Sequence, residues 1–86
     1  MSKKIRVLIV EDSLVVRELL KHIIGSNDRF EVVAAVDSAE EGLSRLESLA
    51  PDVISLDIRL PGMNGLDATL QIMQRRPTPI VVVAAN

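Results

Sequence analysis

Four short apolar runs alternate with three amphipathic stretches along this chain. Ile5-Arg6-Val7-Leu8-Ile9-Val10 is β-branched, almost continuously apolar and bounded by charge, which predicts a buried strand. From Ser13 to about Ser26, Val16, Leu19, Leu20, Ile23 and Ile24 recur with a 3.6-residue period, and Arg17, Glu18, Lys21 and His22 fall on the other side. That spacing predicts a helix, with Asp12 or Ser13 as its N-cap and Gly25 at its C-terminal stop. Glu31 to Val36 reads as a second strand. Ser38-Ala39-Glu40-Glu41 is a capping box, and the helix it opens carries Ala39, Leu43, Leu46 and Ala50 on one face before Pro51 ends it. Val53 to Asp57 is a third strand. Gly65 to Arg75 is a third helix, with Leu66, Leu70 and Met73 expected inward, Arg75 and Arg76 at its negative end, and Pro77 as its stop. Pro79 to Val83 is a fourth strand, its proline tolerated at the first position. Strands alternating with helices call for an α/β fold with a parallel sheet and right-handed crossovers.

Composition narrows the function classes. With 86 residues the chain is one small domain, 1–86, without repeat or linker. Apolar residues make up 48%, and Phe30 is the only aromatic, so the core is aliphatic. The net charge is −2 with mixed signs, which offers no basic face to nucleic acid. The absence of cysteine excludes disulfides and thiolate metal sites. Lys3-Lys4 precedes an apolar run that is too short for a signal peptide, and no stretch approaches the roughly 20 apolar residues of a membrane span. The expectation is a cytoplasmic domain without membrane insertion.

The candidate chemistry is acidic. Asp57 ends the third strand and opens into Ile58-Arg59-Leu60-Pro61-Gly62-Met63-Asn64-Gly65, a turn that presents its carboxylate at the C-terminal edge of the sheet, where open α/β sheets bind ligands. Glu11-Asp12 stands at the end of the first strand. If the first and third strands are neighbours, three carboxylates converge, and such a cluster calls for a cation or does chemistry. His22 lies on the polar side of its helix beside Glu18 and reads as a solvated residue rather than a ligand. Asn64 reads as an N-cap, Asp67 as a first-turn acid and the Arg59 side chain as solvent-exposed.

Glu11-Asp12, Asp57 and Leu60-Pro61-Gly62-Met63-Asn64-Gly65, taken together, resemble the receiver domain of bacterial two-component response regulators. Ile5 to Ser13 and Arg76-Pro77-Thr78-Pro79-Ile80-Val81 look closest to the receiver of chemotaxis protein-glutamate methylesterases. The resemblance implies a flavodoxin-like, doubly wound parallel sheet of order 2-1-3-4-5. Here it would be incomplete: four strands of order 2-1-3-4 and three helices, lacking the last strand and two helices. It implies that Asp57 is the phosphoacceptor and a partner sensor histidine kinase the donor. It implies Mg²⁺ held by Asp12, Asp57 and the Arg59 backbone carbonyl, with Glu11 assisting directly or through water. Two departures are visible. The family places a hydroxyl residue at the end of strand four, where this chain has Ala84 or Ala85, and the family's lysine after strand five is not reached. Signalling output is therefore expected to be impaired, while metal binding survives.

Competing functions fare less well. An aspartate-nucleophile phosphohydrolase wants an acid two residues after the nucleophile, and Asp57-Ile58-Arg59 has arginine there. No glycine-rich phosphate loop follows the first strand. No G-x-S-x-G is present, so the segment alone is not expected to be an esterase, although a longer parent could be a chemotaxis methylesterase with this chain as its regulatory part. The remaining alternative is a self-associating assembly element. Without covering elements, the edge of strand four and the face of the first helix are expected to pair with a second copy, with an exchanged strand as one form.

Overall fold

The computed structural model describes residues 3–83. Its elements are β1 (Ile5–Val10), α1 (Leu14–Gly25), β2 (Phe30–Val36), α2 (Ala39–Leu49), β3 (Val53–Asp57), α3 (Gly65–Arg75) and β4 (Ile80–Val83). The four strands are all parallel and lie in the order β2-β1-β3-β4, as the sequence reading expected. Val7 pairs with Val32 but Leu8 pairs with Ala34, so Val33 is an extra residue that bulges the edge strand β2.

The period of two along each strand sorts side chains onto two faces. Leu8 and Val10 of β1 and Ile54 and Leu56 of β3 join Leu43 and Leu46 of α2 and Ala68 and Ile72 of α3 in the core, to which Leu60 of the following loop is added. Leu8, Ile54, Leu46 and Leu56 are each at most 1% exposed, and burying such a side chain contributes about 1.5–3 kcal/mol. On the opposite face Val7, Val53, Ser55, Val81 and Val83 form a second apolar surface, flanked by Leu20 and Ile24 of α1.

Local chemistry fixes the helix starts. Ser13 is the N-cap of α1, its hydroxyl accepting the Val16 amide at 3.3 Å. Ser38 caps α2 through the Glu41 amide at 3.1 Å, and Asn64 caps α3 through the Asp67 amide at 2.9 Å. The helices stop where the sequence placed their ends, but not with a left-handed glycine. Gly25 is the last residue of α1, and the cap is Ser26 in right-handed geometry. The left-handed residue is instead Ala50, at φ 44° and ψ 57°, between α2 and Pro51.

Two apolar stripes are less buried than their periodicity suggested. In α3 the inward residues are Gly65, Ala68 and Ile72. Leu66, Leu70 and Met73, expected inward, are 68%, 56% and 42% exposed. The small residues win because they let the helix approach closely: a Cβ on Gly65 would stand 2.8 Å from the Cα of Ile58. No residue of α1 is buried, and Leu19 and Ile23 are both more than half exposed. Among the described residues nothing covers this face of α1. No helix there is long and apolar enough to cross a membrane.

Candidate functional site

The parallel ladder between β1 and β3 runs from Val7 opposite Val53 to Val10 opposite Leu56. The next residues, Glu11 just past β1 and Asp57 at the end of β3, therefore stand side by side at the C-terminal edge of the sheet. Asp12 follows Glu11 in the turn before α1. One carboxylate oxygen from each of Glu11, Asp12 and Asp57 lies within 4.8 Å of the others. The convergence expected from sequence is thus present in space.

The three acids differ in environment. Glu11 is 2% exposed and Asp57 6% exposed, while Asp12 is open to solvent. Glu11 Oε2 accepts the Ser13 amide at 3.0 Å, but its buried Oε1 has no hydrogen-bond partner. Burial pushes the Glu11 carboxyl above its ordinary value, and the facing charges of Asp57 and Asp12 push it the same way, against the bond from Ser13. Three clustered carboxylates, one of them buried with an orphaned oxygen, are the donor set that a hard cation takes, so these residues fit Mg²⁺.

Backbone contacts hold the acids in place. The Arg59 amide donates to Asp57 Oδ1 at 2.9 Å, which orients that carboxylate, and the Arg59 side chain is exposed as expected. Arg17 of α1 reaches back under the turn, its Nη1 donating to the Glu11 carbonyl at 2.9 Å and to the Asp12 carbonyl at 3.4 Å. Sequence reasoning had placed Arg17 only on the polar side of α1. Its position five and six residues after the acidic pair was the available signal. Glu40 was likewise read only as a member of the capping-box segment, yet its Oε2 accepts the Met63 amide at 3.2 Å in the loop that follows Asp57. Nothing in the sequence flags that contact, which spans 23 residues. His22 is exposed on α1. Ala84 and Ala85 lie outside the described residues.

Comparison with known proteins follows the same lines. The family described as response regulator receiver domain matches residues 7–86. A protein-glutamate methylesterase/protein-glutamine glutaminase 2 from Paramagnetospirillum magneticum is 82% identical over the whole chain, which spans 24% of that protein. A homologue of the same description from Methanococcus maripaludis is 46% identical over 95% of the chain and 22% of its own length. The chain thus spans about a quarter of the curated relatives it matches. Among solved structures, the response regulator domain of Thermotoga maritima CheB superposes with a TM-score of 0.91 at 39% identity, covering 95% of this chain and 61% of that one. A CheX–CheY–BeF3–Mg²⁺ complex from Borrelia burgdorferi contains a chain that matches with a TM-score of 0.84 at 26% identity, covering 94% of this chain and 62% of its own.

Proposed function

Because the chain belongs to the response regulator receiver domain family, we propose that Asp57 accepts a phosphoryl group from a partner histidine kinase with Mg²⁺ at the adjacent acids. The observation that carries this reading is the convergence of Glu11, Asp12 and Asp57, together with the unpartnered, buried Glu11 Oε1. Asp12, Asp57 and the Arg59 carbonyl hold the ion, with Glu11 beside them. When bound, Mg²⁺ supplies positive charge that offsets repulsion between the carboxylates and the incoming phosphoryl oxygens. The protein's own part is positioning. The Arg59 amide occupies Asp57 Oδ1, which leaves Oδ2 as the attacking oxygen. A new Oδ2–P bond forms as the bond from phosphorus to the donor's imidazole nitrogen breaks, and that nitrogen keeps the electron pair. The test is incubation with Mg²⁺ and a small acyl phosphate, followed by mass measurement. A gain of one phosphoryl group that disappears in Asp57→Asn supports the assignment, and no gain in the unmodified chain refutes it.

The strong identity to protein-glutamate methylesterases favours a place for this segment as the regulatory part of such an enzyme in chemotaxis. In a longer protein carrying it, glutamyl-ester hydrolysis should rise on acyl-phosphate treatment, and Asp57→Asn should abolish the rise.

A second reading rests on the uncovered surface. Val81 and Val82 on the edge strand β4 are 57% and 55% exposed, and Leu19 and Ile23 on α1 are exposed to a similar degree. Edges and patches of this kind pair with a second copy, so the 86-residue chain self-associates through β4 or the α1 face. A strictly monomeric species in light-scattering chromatography at high micromolar concentration refutes this.

A further inference from the structure

The loop between β3 and α3 is closed at its base and tethered at its tip. At the base the Gly65 amide donates to the Ile58 carbonyl at 3.3 Å, and the Arg59 amide donates to Asp57 Oδ1 at 2.9 Å. In the middle Leu60 is buried in the core, and Pro61 has a fixed φ. At the tip Gly62 turns with φ 73°, and the Met63 amide donates to Glu40 Oε2 at 3.2 Å. A Cβ on Gly62 would stand only 2.9 Å from that same Glu40 oxygen. The bare glycine therefore leaves the room that the carboxylate occupies.

Glu40 suits this task. It lies in the first turn of α2 beyond the Ser38 cap, where the helix dipole favours a negative charge. Its carboxylate is a charge-assisted acceptor, which holds an amide more firmly than water or a neutral acceptor does. Only the short segment Leu60-Pro61-Gly62 separates the tethered amide from Arg59, and the Pro61 ring stiffens it. A shift at Met63 is carried to Arg59 because that segment has little freedom to absorb it.

We propose that Glu40 is a positioning residue for the phosphoacceptor loop, its carboxylate holding the Met63 amide so that the Arg59 amide stays on Asp57. The inference rests on the reading of Asp57 as phosphoacceptor, and its main readout needs neither metal nor phosphate. Amide hydrogen exchange is followed at Met63 and Arg59 in the metal-free chain, in Glu40→Ala and in Glu40→Gln. In Glu40→Ala both amides should exchange about five- to tenfold faster, whereas Glu40→Gln, which keeps an acceptor oxygen, should stay within about twofold of the parent. Mg²⁺ affinity should fall about three- to tenfold in Glu40→Ala, because the Arg59 carbonyl moves with its amide. Faster exchange at Met63 with none at Arg59 overturns the proposal, since Glu40 then tethers only the tip. Unchanged exchange at both amides overturns it too, as does unchanged Mg²⁺ affinity in Glu40→Ala where the parent binds Mg²⁺. A parent that binds no Mg²⁺ and gains no phosphoryl group counts against the phosphoacceptor reading instead, and exchange alone then decides the role of Glu40.

Discussion

Val10 lies opposite Leu56 in the parallel ladder that joins β1 to β3. That pairing decides where Glu11 and Asp57 stand, because each is the next residue in its chain direction. A shift of one residue would turn one of the two carboxylates to the other face of the sheet. The register is held by burial on both sides, with Leu8, Val10, Ile54 and Leu56 all facing the α2–α3 core.

The Glu11 carboxyl gives the first prediction. Its folded-state pKa is raised above the ordinary 4.5 by burial and by the facing charges of Asp57 and Asp12. The folded protein therefore holds that proton more tightly than the unfolded chain does. The stability this contributes is complete below about pH 4.5 and is lost as pH rises through the folded pKa. Glu11→Gln removes that titration. In metal-free buffer the variant should match the parent near pH 4 and exceed it at pH 7, where only the parent carries a buried charge facing two further acids. Urea unfolding at the two pH values measures the difference, and a constant difference between them would contradict the assignment.

Metal addition gives the second prediction. An ion that binds only the folded state stabilises by mass action, about 2.7 kcal/mol at one hundred times its dissociation constant. For a domain of this size that raises Tm by about 10–20 °C. Mg²⁺ should produce this rise and a chelator should reverse it. Asp12→Ala should remove most of it, because Asp12 is the solvent-facing member of the three acids. Thermal unfolding by circular dichroism reads the shift.

Three glycines give a ranked prediction. A Cβ on Gly65 would meet backbone, with the Ile58 Cα at 2.8 Å and the Asp57 carbonyl oxygen at 3.3 Å. Gly65→Ala should therefore cost about 3 kcal/mol and disturb the candidate site. Gly62 has φ 73°, but its Cβ would meet only the movable end of Glu40, so Gly62→Ala should cost about 1–2 kcal/mol. Gly25 has open space and no positive φ, so Gly25→Ala should stabilise by about 0.4–1 kcal/mol. Denaturant midpoints of the three variants test the order.

These glycines also mark where sequence reasoning reached and where it stopped. The strands, the three N-caps and the parallel sheet follow from local chemistry and chain alternation, so they were legible, whereas the strand order came from the resemblance to the receiver family. The members of the acidic cluster were legible because turn residues and strand ends are short-range features, but their convergence depended on β1 and β3 being neighbours, which the resemblance implied. Gly25 marked the end of α1 but not its geometry: the cap is right-handed Ser26, and the left-handed cap belongs to Ala50 of α2, where no glycine signals it. The α3 face misled because Leu66, Leu70 and Met73 form as good a stripe as Gly65, Ala68 and Ile72. Only the close approach at Ile58 selects the small residues. The Glu40 contact depends on a backbone group of another element, to which no sequence pattern points, whereas the Arg17 contacts had only its spacing from the acidic pair as a signal.

Ala50 supplies the last prediction. At φ 44° and ψ 57° it holds a left-handed conformation with a Cβ in place, which costs about 1–2 kcal/mol relative to right-handed geometry. Pro51 follows and narrows the choices of Ala50 further, since the ring disfavours helical backbone in the residue before it. The strain persists because both neighbours are committed: the Ala50 amide still donates to the Leu46 carbonyl at 3.0 Å, and Pro51 is buried. Glycine removes the Cβ penalty but adds freedom to the unfolded chain, an opposing effect of about 0.4–1 kcal/mol. Ala50→Gly should therefore gain about 0.5–1 kcal/mol net, seen as a higher urea midpoint at unchanged slope. A loss instead would mean that the half-buried Ala50 methyl contributes more through packing than the left-handed backbone costs.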